Sequence, residues 1–504
     1  MHMKKIIKKI ALLLIVFCIG VGVTLLYTNN KYGVYEKEET KQIKKHVDTI
    51  SMMLETEAKS GNYERTTRES WPTEGYVFNT TLSKCENGGE LSWDDEKKVV
   101  LMSGNVSDKC YVYFDVYVSP RFDEICDETT LACHVAKLYT GSQGDNRIYY
   151  HNSSLTNGAG DNSYRYAGGD YILTDAGKAT GATMMIGYSN SITTALIDFY
   201  CNGTKQFVGY TCNTSQPHYY LIKGDTTQYQ TYNETLNKAV EKGYLTKDNV
   251  KNFVCFGSNA TPCPTENLYR IIGVFNNQVK LIKYDYAKSS LLGTTGDFSQ
   301  EDNTNYFSAE RGGSPTSNSL YYWNNSRKNT WSESNLNKVN LNTNFITNIG
   351  SEWAGKIAMT SWKVGGNTWN KIGRSVPATA YQNEIVSPVT TNTTDNAAEY
   401  TAKIGLMYVS DYGYAASPGA WKIIMTNYTS AFLVNWMYMG LDEWTISRQA
   451  DELDRAFRVD NSSSVPVLGC RVDLDYGVRP TFYLESSISY VSGSGTKTEP
   501  IRIN

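Results

Sequence analysis

The chain has 504 residues, with 48 Lys and Arg against 51 Asp and Glu, and a formal net charge of −3. Lys4, Lys5, Lys8 and Lys9 stand at its start; removing their +4 leaves −7 on the rest, without the basic field that nucleic-acid binding needs. The length suggests two to four domains, and 38 Tyr, 10 Trp and 40 Gly suit a β-rich fold with many turns.

The four lysines precede Ile10 to Tyr27, which holds no charged side chain. At about 1.5 Å per residue this run spans roughly 27 Å, close to a bilayer's hydrocarbon core. Lysines on this flank predict a cytoplasmic N-terminus and an extracellular bulk. Leu25-Leu26-Tyr27-Thr28-Asn29-Asn30 offers no small-residue cleavage site. Phe17 before Cys18 does not suit a lipoprotein signal. The expectation is an uncleaved signal anchor, single-pass in the cell membrane.

Ile43, Val47, Ile50 and Leu54 recur at helical spacing, so the anchor helix is expected to continue outside and stop near Gly61. Residues 1–60 are therefore read as anchor and extended helix. Residues 61–118 read as a small β-rich domain. Gly75–Phe78, Glu90–Trp93, Lys98–Met102 and Cys110–Phe114 are its candidate strands, separated by turn chemistry at Asn87-Gly88-Gly89 and Asp94-Asp95. A hydrophobic helix running into a helix packed on a small sheet resembles a type IV pilin or pseudopilin. The processing motif Gly-Phe-Thr-Leu-Val-Glu of those proteins is replaced here by Lys9-Ile10-Ala11-Leu12-Leu13-Leu14, so the likeness is architectural only.

Beyond Cys18 the cysteines fall into close sequential pairs: Cys85 and Cys110, Cys126 and Cys133, Cys201 and Cys212, Cys255 and Cys263. Such pairs suit local staples in an oxidising compartment, although spacing alone does not fix connectivity. No pair has Cys-x-x-Cys spacing and His is scarce, so zinc is not expected. Cys470 is left over, either buried and free or available for an intermolecular bond.

Residues 119–250 read as a linker or irregular insertion. Within them Asn233 caps a candidate helix over Glu234 to Lys242, ended by Gly243. Asp161-Asn162-Ser163-Tyr164-Arg165-Tyr166-Ala167-Gly168 faintly echoes Glu266-Asn267-Leu268-Tyr269-Arg270-Ile271-Ile272-Gly273.

Residues 251–504 are denser in signals. Leu268–Phe275 and Gln278–Lys283 flank Asn276-Asn277, a pair that tolerates positive φ, and predict a β-hairpin. A helix is expected near Ser332 to Phe345 and a strand over Lys403–Val409. The hairpin, Ile404-Gly405-Leu406-Met407-Tyr408-Val409-Ser410-Asp411-Tyr412-Gly413-Tyr414, Glu443-Trp444-Thr445-Ile446-Ser447-Arg448 and Gly477-Val478-Arg479-Pro480-Thr481-Phe482-Tyr483-Leu484 resemble an uncharacterised C-terminal domain of bacterial cell-surface proteins. More distantly, Glu443-Trp444-Thr445 with Gly477-Val478-Arg479 looks like the closing motifs of the formylglycine-generating-enzyme fold, a relative of C-type lectin-like domains. The resemblance implies an α+β, β-rich architecture with a C-type-lectin-like domain at the C-terminal end.

It does not bring the chemistry. Copper in the formylglycine-generating enzymes needs two cysteines, and Cys470 is alone after Cys263. Gln216-Pro217-His218 lacks the acid of a lectin calcium triplet and lies outside the domain. Asp473 and Asp475 are hard-oxygen candidates, but alternating Asp near a turn is usually solvated. Neither a Gly-x-Ser-x-Gly elbow nor a His-Glu-x-x-His pair occurs, and Gly177-Lys178 lacks the rest of a phosphate loop. Asp442 and Glu443 are adjacent, a poor geometry for a glycosidase pair, and Glu443 reads as a structural contact. Tyr412, Tyr414, Trp421 and Trp436 are candidates to stack on sugars if exposed, although each alone suits a core. No catalytic residue, metal or cofactor is assigned. The expected function is a membrane-anchored extracellular binding or adhesion protein, its partner a glycan or surface protein; the alternative is a pilin-like structural subunit.

Overall fold

The computed structural model describes residues 50–504 apart from 69, 104–107, 303–317, 366–367, 389–397 and 429–434; between 170 and 249 only the backbone of short strands is described. The anchor run, Ile43, Val47, the candidate helix from Glu234 to Lys242 and the expected Cys201–Cys212 pair lie outside the described residues. Among the described residues no helix is long and apolar enough to cross a membrane. The architecture is β-rich α+β, and the chain divides into two compact units at Arg121 and Phe122.

The first unit is built on β1 (Ile50–Glu55), β2 (Tyr63–Arg65), β3 (Tyr76–Phe78), β4 (Lys84–Cys85) and β7 (Cys110–Val116), with β5 (Glu90–Asp94) and β6 (Val99–Ser103) as a separate hairpin. β1 runs parallel to β7, Ile50 opposite Cys110 and Leu54 opposite Phe114, while β3 and β4 pair antiparallel to β7. The expected helix therefore does not reach Leu54. Ile50, Met52 and Leu54 are two apart, and Ile50 and Leu54 pack on buried Met52, Phe78, Val112 and Phe114. A spacing of four is even, so it fits one face of a strand as well as one face of a helix. Rings of Trp71, Phe78 and Trp93 lie 5.5–6.0 Å from that of Phe114 and close the small core. Cys85 and Cys110 are register partners and form a disulfide.

The second unit begins at Phe122, not at 251. Its α1 (Leu131–Ala136) is capped by Thr130, whose hydroxyl accepts the Cys133 amide, and the Cys126–Cys133 disulfide ties its first turn to the segment before it. β8 (Ile148–Tyr150), β9 (Tyr164–Tyr166), β10 (Phe253–Cys255), β11 (Leu268–Phe275) and β12 (Gln278–Lys283) follow. Residues 122–168 are thus no linker: Tyr150, Tyr164 and Tyr166 are core residues, and β9 and β8 extend the sheet beyond β11. The echoed Tyr-Arg segments lie in these neighbouring antiparallel strands, with Arg165 opposite Gly273 and both Arg165 and Arg270 buried. A Cβ on Gly273 would meet the Tyr164 carbonyl oxygen at 2.3 Å, so only glycine allows this approach.

The hairpin turns at Asn276 and Asn277, both with positive φ, and Cys255–Cys263 staples its entry. The expected helix appears as a 3₁₀ turn over Trp331–Glu333 and a π-helix over Leu336–Phe345. Asn340 and Asn342 within it bond the backbone at Leu292, Thr295, Asp297 and Ile404. These contacts lock the π-helix to the adjoining loops. α2 (Pro377–Tyr381) runs into a π-turn over Gln382–Val386. β13 (Ile404–Gly405) leads into α3 (Val409–Tyr414), so only the start of the expected Lys403–Val409 strand is a strand. β14 (Glu443–Arg448), β15 (Arg455–Val459) and β16 (Cys470–Arg471) form a second sheet. β17 (Thr481–Tyr483) pairs with both β12 and β13 and completes the seven-stranded sheet.

Candidate functional site

The four aromatics proposed for sugar stacking are core residues. Tyr412, Tyr414, Trp421 and Trp436 are all buried. The Tyr412 hydroxyl donates to the Ser463 carbonyl at 2.6 Å, and the indoles of Trp421 and Trp436 donate to the carbonyls of Ala416 and Tyr166. Trp436 also carries the Arg270 guanidinium 4.7 Å above its ring. None of the four presents a free face to a ligand.

The singled-out carboxylates hold structure. Glu443 is buried on β14 and takes a two-pronged contact from Arg479, Nε to Oε1 at 2.7 Å and Nη2 to Oε2 at 2.8 Å. Burial pushes its carboxyl above the usual range, and Arg479 opposes that shift. This pair joins the Glu-Trp-Thr and Gly-Val-Arg motifs, which also meet through a parallel bridge between Glu443 and Gly477. Asp442 pairs with Arg458, whose guanidinium also donates to the thiol of Cys470. Cys470 is a half-buried free thiol. Asp473 is held between Arg471 and Arg327, while Asp475 accepts from Ser299 and Gln300. With two guanidiniums on Asp473, the pair is no vacant cation site.

An open concavity lies in the first unit. A groove of about 500 Å³ is lined by Glu55, Lys59, Tyr63, Val77, Asp115 and Tyr117, among others. Its floor is fixed by hydrogen bonds. Glu55 accepts the amides of Gly61 at 3.0 Å and Val116 at 2.9 Å, which ties the ends of β1 and β7 to the turn before β2. Asp115 accepts the Tyr63 hydroxyl at 2.5 Å and the Asn79 amide group through both oxygens. Partial burial and the adjacent Asp115 carboxylate push the Tyr63 hydroxyl up to about 12, so it stays a donor at neutral pH. The rim is apolar and wet: Val77, Tyr117 and Val118 are each about half exposed. The groove is open to solvent and combines an apolar wall with fixed polar groups. Sequence reading missed it because its residues come from β1, β2, β3 and β7, up to 63 positions apart.

A second cluster is closed to solvent. Lys280 on β12 and Asp411 on α3 meet with Nζ 2.5 Å from Oδ2, and their side chains are only 1% and 3% exposed. Asp411 also accepts the Tyr408 amide at 2.9 Å, closing the first turn of α3. Glu384, in the π-turn after α2, accepts the Val409 and Ser410 amides at 3.1 and 3.0 Å and the Ser447 hydroxyl. Burial pushes the Glu384 carboxyl up to about 7 despite these donors. Burial likewise lowers Lys280, against the pull of Asp411. Arg165 stacks on Phe275, Tyr381 and Tyr414 and pairs with Asp161 at 2.5 Å. Burial disfavours the Asp161 carboxylate, but Arg165, the Ser163 hydroxyl and His151 together outweigh it and hold the group at about 2.

Comparison with known protein families, with curated proteins and with solved structures returned no match.

Proposed function

We propose that this chain is a membrane-anchored, extracellular binding or adhesion protein without catalytic activity, and that the first-unit groove receives a glycan or a short peptide of a surface partner. The observation that carries this reading is the groove itself: a hydrogen-bonded polar floor of Glu55, Tyr63 and Asp115 beneath the exposed Tyr117 and Val118 rim. Preformed polar groups give orientation and an exposed aromatic gives contact area at low entropic cost.

The uncharged run from Ile10 to Tyr27 behind four lysines supports the membrane anchor. The Cys85–Cys110, Cys126–Cys133 and Cys255–Cys263 disulfides support an oxidising location. The second unit is read as the lectin-like module; the Glu443–Arg479 pair between its two closing motifs supports that reading.

Glycan and peptide arrays probed with the purified chain test the proposal. A ligand whose affinity falls about tenfold or more in Tyr117→Ser, roughly 1.4 kcal/mol, is the expected result. Binding that is indifferent to Tyr117→Ser and to Val118→Ser refutes the groove as the site.

A further inference from the structure

Lys280 and Asp411 are placed for more than an ion pair. The amine sits 2.5 Å from the carboxylate in a pocket nearly closed to water. Four rings surround Nζ, with centroids at 4.5 Å for Tyr408, 5.3 Å for Tyr483 and 5.6 Å for both Phe275 and Trp362. Burial in this low-dielectric box disfavours the ammonium form of Lys280, although Asp411 pulls the other way. A desolvated lysine amine is a nucleophile, and a carboxyl carbon is its electrophile.

We propose that Lys280 Nζ condenses with Cγ of Asp411 to form an intramolecular isopeptide bond that ties β12 covalently to α3. The step balances within the pair. Proton transfer from Nζ to the carboxylate gives amine and carboxylic acid. Nζ then attacks Cγ, and the tetrahedral centre collapses with loss of one carboxyl oxygen. One C–N bond forms, one C–O bond breaks, and two hydrogens of the original ammonium leave with that oxygen as water. No oxidant or co-reactant enters. The Tyr408 amide, 2.9 Å from Oδ2, stabilises the charge that develops on that oxygen during attack.

Glu384 is the positioning residue. It grips the amides of Val409 and Ser410, directly before Asp411, and so fixes the turn that carries the electrophile. Burial pushes its carboxyl up to about 7, so it carries less than a full charge beside Asp411 at neutral pH. The bond would close a loop between residues 131 apart in sequence. Such a link holds the seven-stranded sheet to α3 under load, when an ion pair would yield.

Tryptic mapping of the full chain, reduced and alkylated, tests this. The expected product is a branched peptide joining Ile271–Lys283 to Ile404–Lys422. Its mass lies about 18 Da below the sum of its parts, the loss of one water. Trypsin does not cut after an acylated Lys280. Lys280→Arg keeps the cation and cannot form the same amide, so trypsin cuts after position 280 and Ile404–Lys422 runs free in its digest. Glu384→Gln leaves both reacting groups in place and is expected to yield unlinked chain, at least in part. A wild-type digest in which Lys280 is cleaved and Ile404–Lys422 runs free overturns the proposal and leaves a buried ion pair only.

Discussion

Arg479→Met tests whether the Glu443–Arg479 pair holds the second unit together as a charge pair or only as filler. Both side chains are essentially inaccessible, 1% and 3% exposed, and the contact is two-pronged at 2.7 and 2.8 Å. Arg479 also donates to the Met437 carbonyl at 2.6 Å. Methionine fills much of the same volume but leaves the Glu443 carboxylate buried without its counter-charge. Stranding one member of such a pair costs about 3–5 kcal/mol. The loss should depend on pH. Burial already sets the folded pKa of Glu443 above its unfolded value, and Arg479 is the group that restrains the rise. The folded chain therefore keeps this proton over a window in which the unfolded chain has released it. The stability this proton contributes is full below the unfolded pKa and is lost as pH rises through the folded one. Without Arg479 the window widens, by about 1.4 kcal/mol for each unit of further shift. Urea denaturation of the purified chain, followed by tryptophan fluorescence, should show Arg479→Met losing more at about pH 7.5 than at about pH 5. Glu443→Leu combined with Arg479→Met should recover most of the deficit. A double variant as unstable as the single one, or a single variant with the same deficit at both pH values, would falsify the electrostatic account.

Two further outcomes follow from the packing. Gly273→Ala drives a methyl into the Tyr164 carbonyl oxygen at 2.3 Å and the Arg165 Cα at 3.1 Å. Overpacking against backbone costs about 1–3 kcal/mol, so the urea midpoint should fall; an unchanged midpoint would mean that β9 does not press on β11. Replacing Cys85 and Cys110 by Ala opens a bridge between residues 25 apart. It should cost about 3 kcal/mol in unfolding of the first unit, read from hydrogen exchange on β7, and equal protection with and without the bridge would count against it.

How far the sequence disclosed this fold depended on whether a signal was local. The Asn276-Asn277 hairpin was legible because turn chemistry and register are set within a few residues. Three of the close cysteine pairs are bonded as their spacing suggested. Ile50 to Leu54 misled because a spacing of four belongs to both periods, and the parallel partner that decides between them lies some 60 residues away. Tyr412, Tyr414, Trp421 and Trp436 were undecidable for another reason. An aromatic reads the same whether it stacks on a ligand or on a neighbouring side chain, and only burial separates the two.

Lys280 and Lys283 show why the closed cluster was invisible. In Gln278-Val279-Lys280-Leu281-Ile282-Lys283 a lysine next to apolar residues reads as the solvent face of a half-buried strand. Yet β12 pairs with strands on both edges, and all its residues after Gln278 are buried. Alternation marks an inside and an outside only when a strand has both. Lys283 meets this confinement by donating to the Glu266 carbonyl at 2.7 Å, and burial pulls its amine down to about 8. Lys280 meets it with a carboxylate from another element. The two lysines share a strand and a degree of burial, but Lys280 meets a side-chain carboxylate where Lys283 meets a backbone carbonyl. The covalent link is therefore assigned to Lys280, and Lys283 serves as its internal control: the tryptic cut after Lys283 should proceed in the same digest that shows Lys280 blocked.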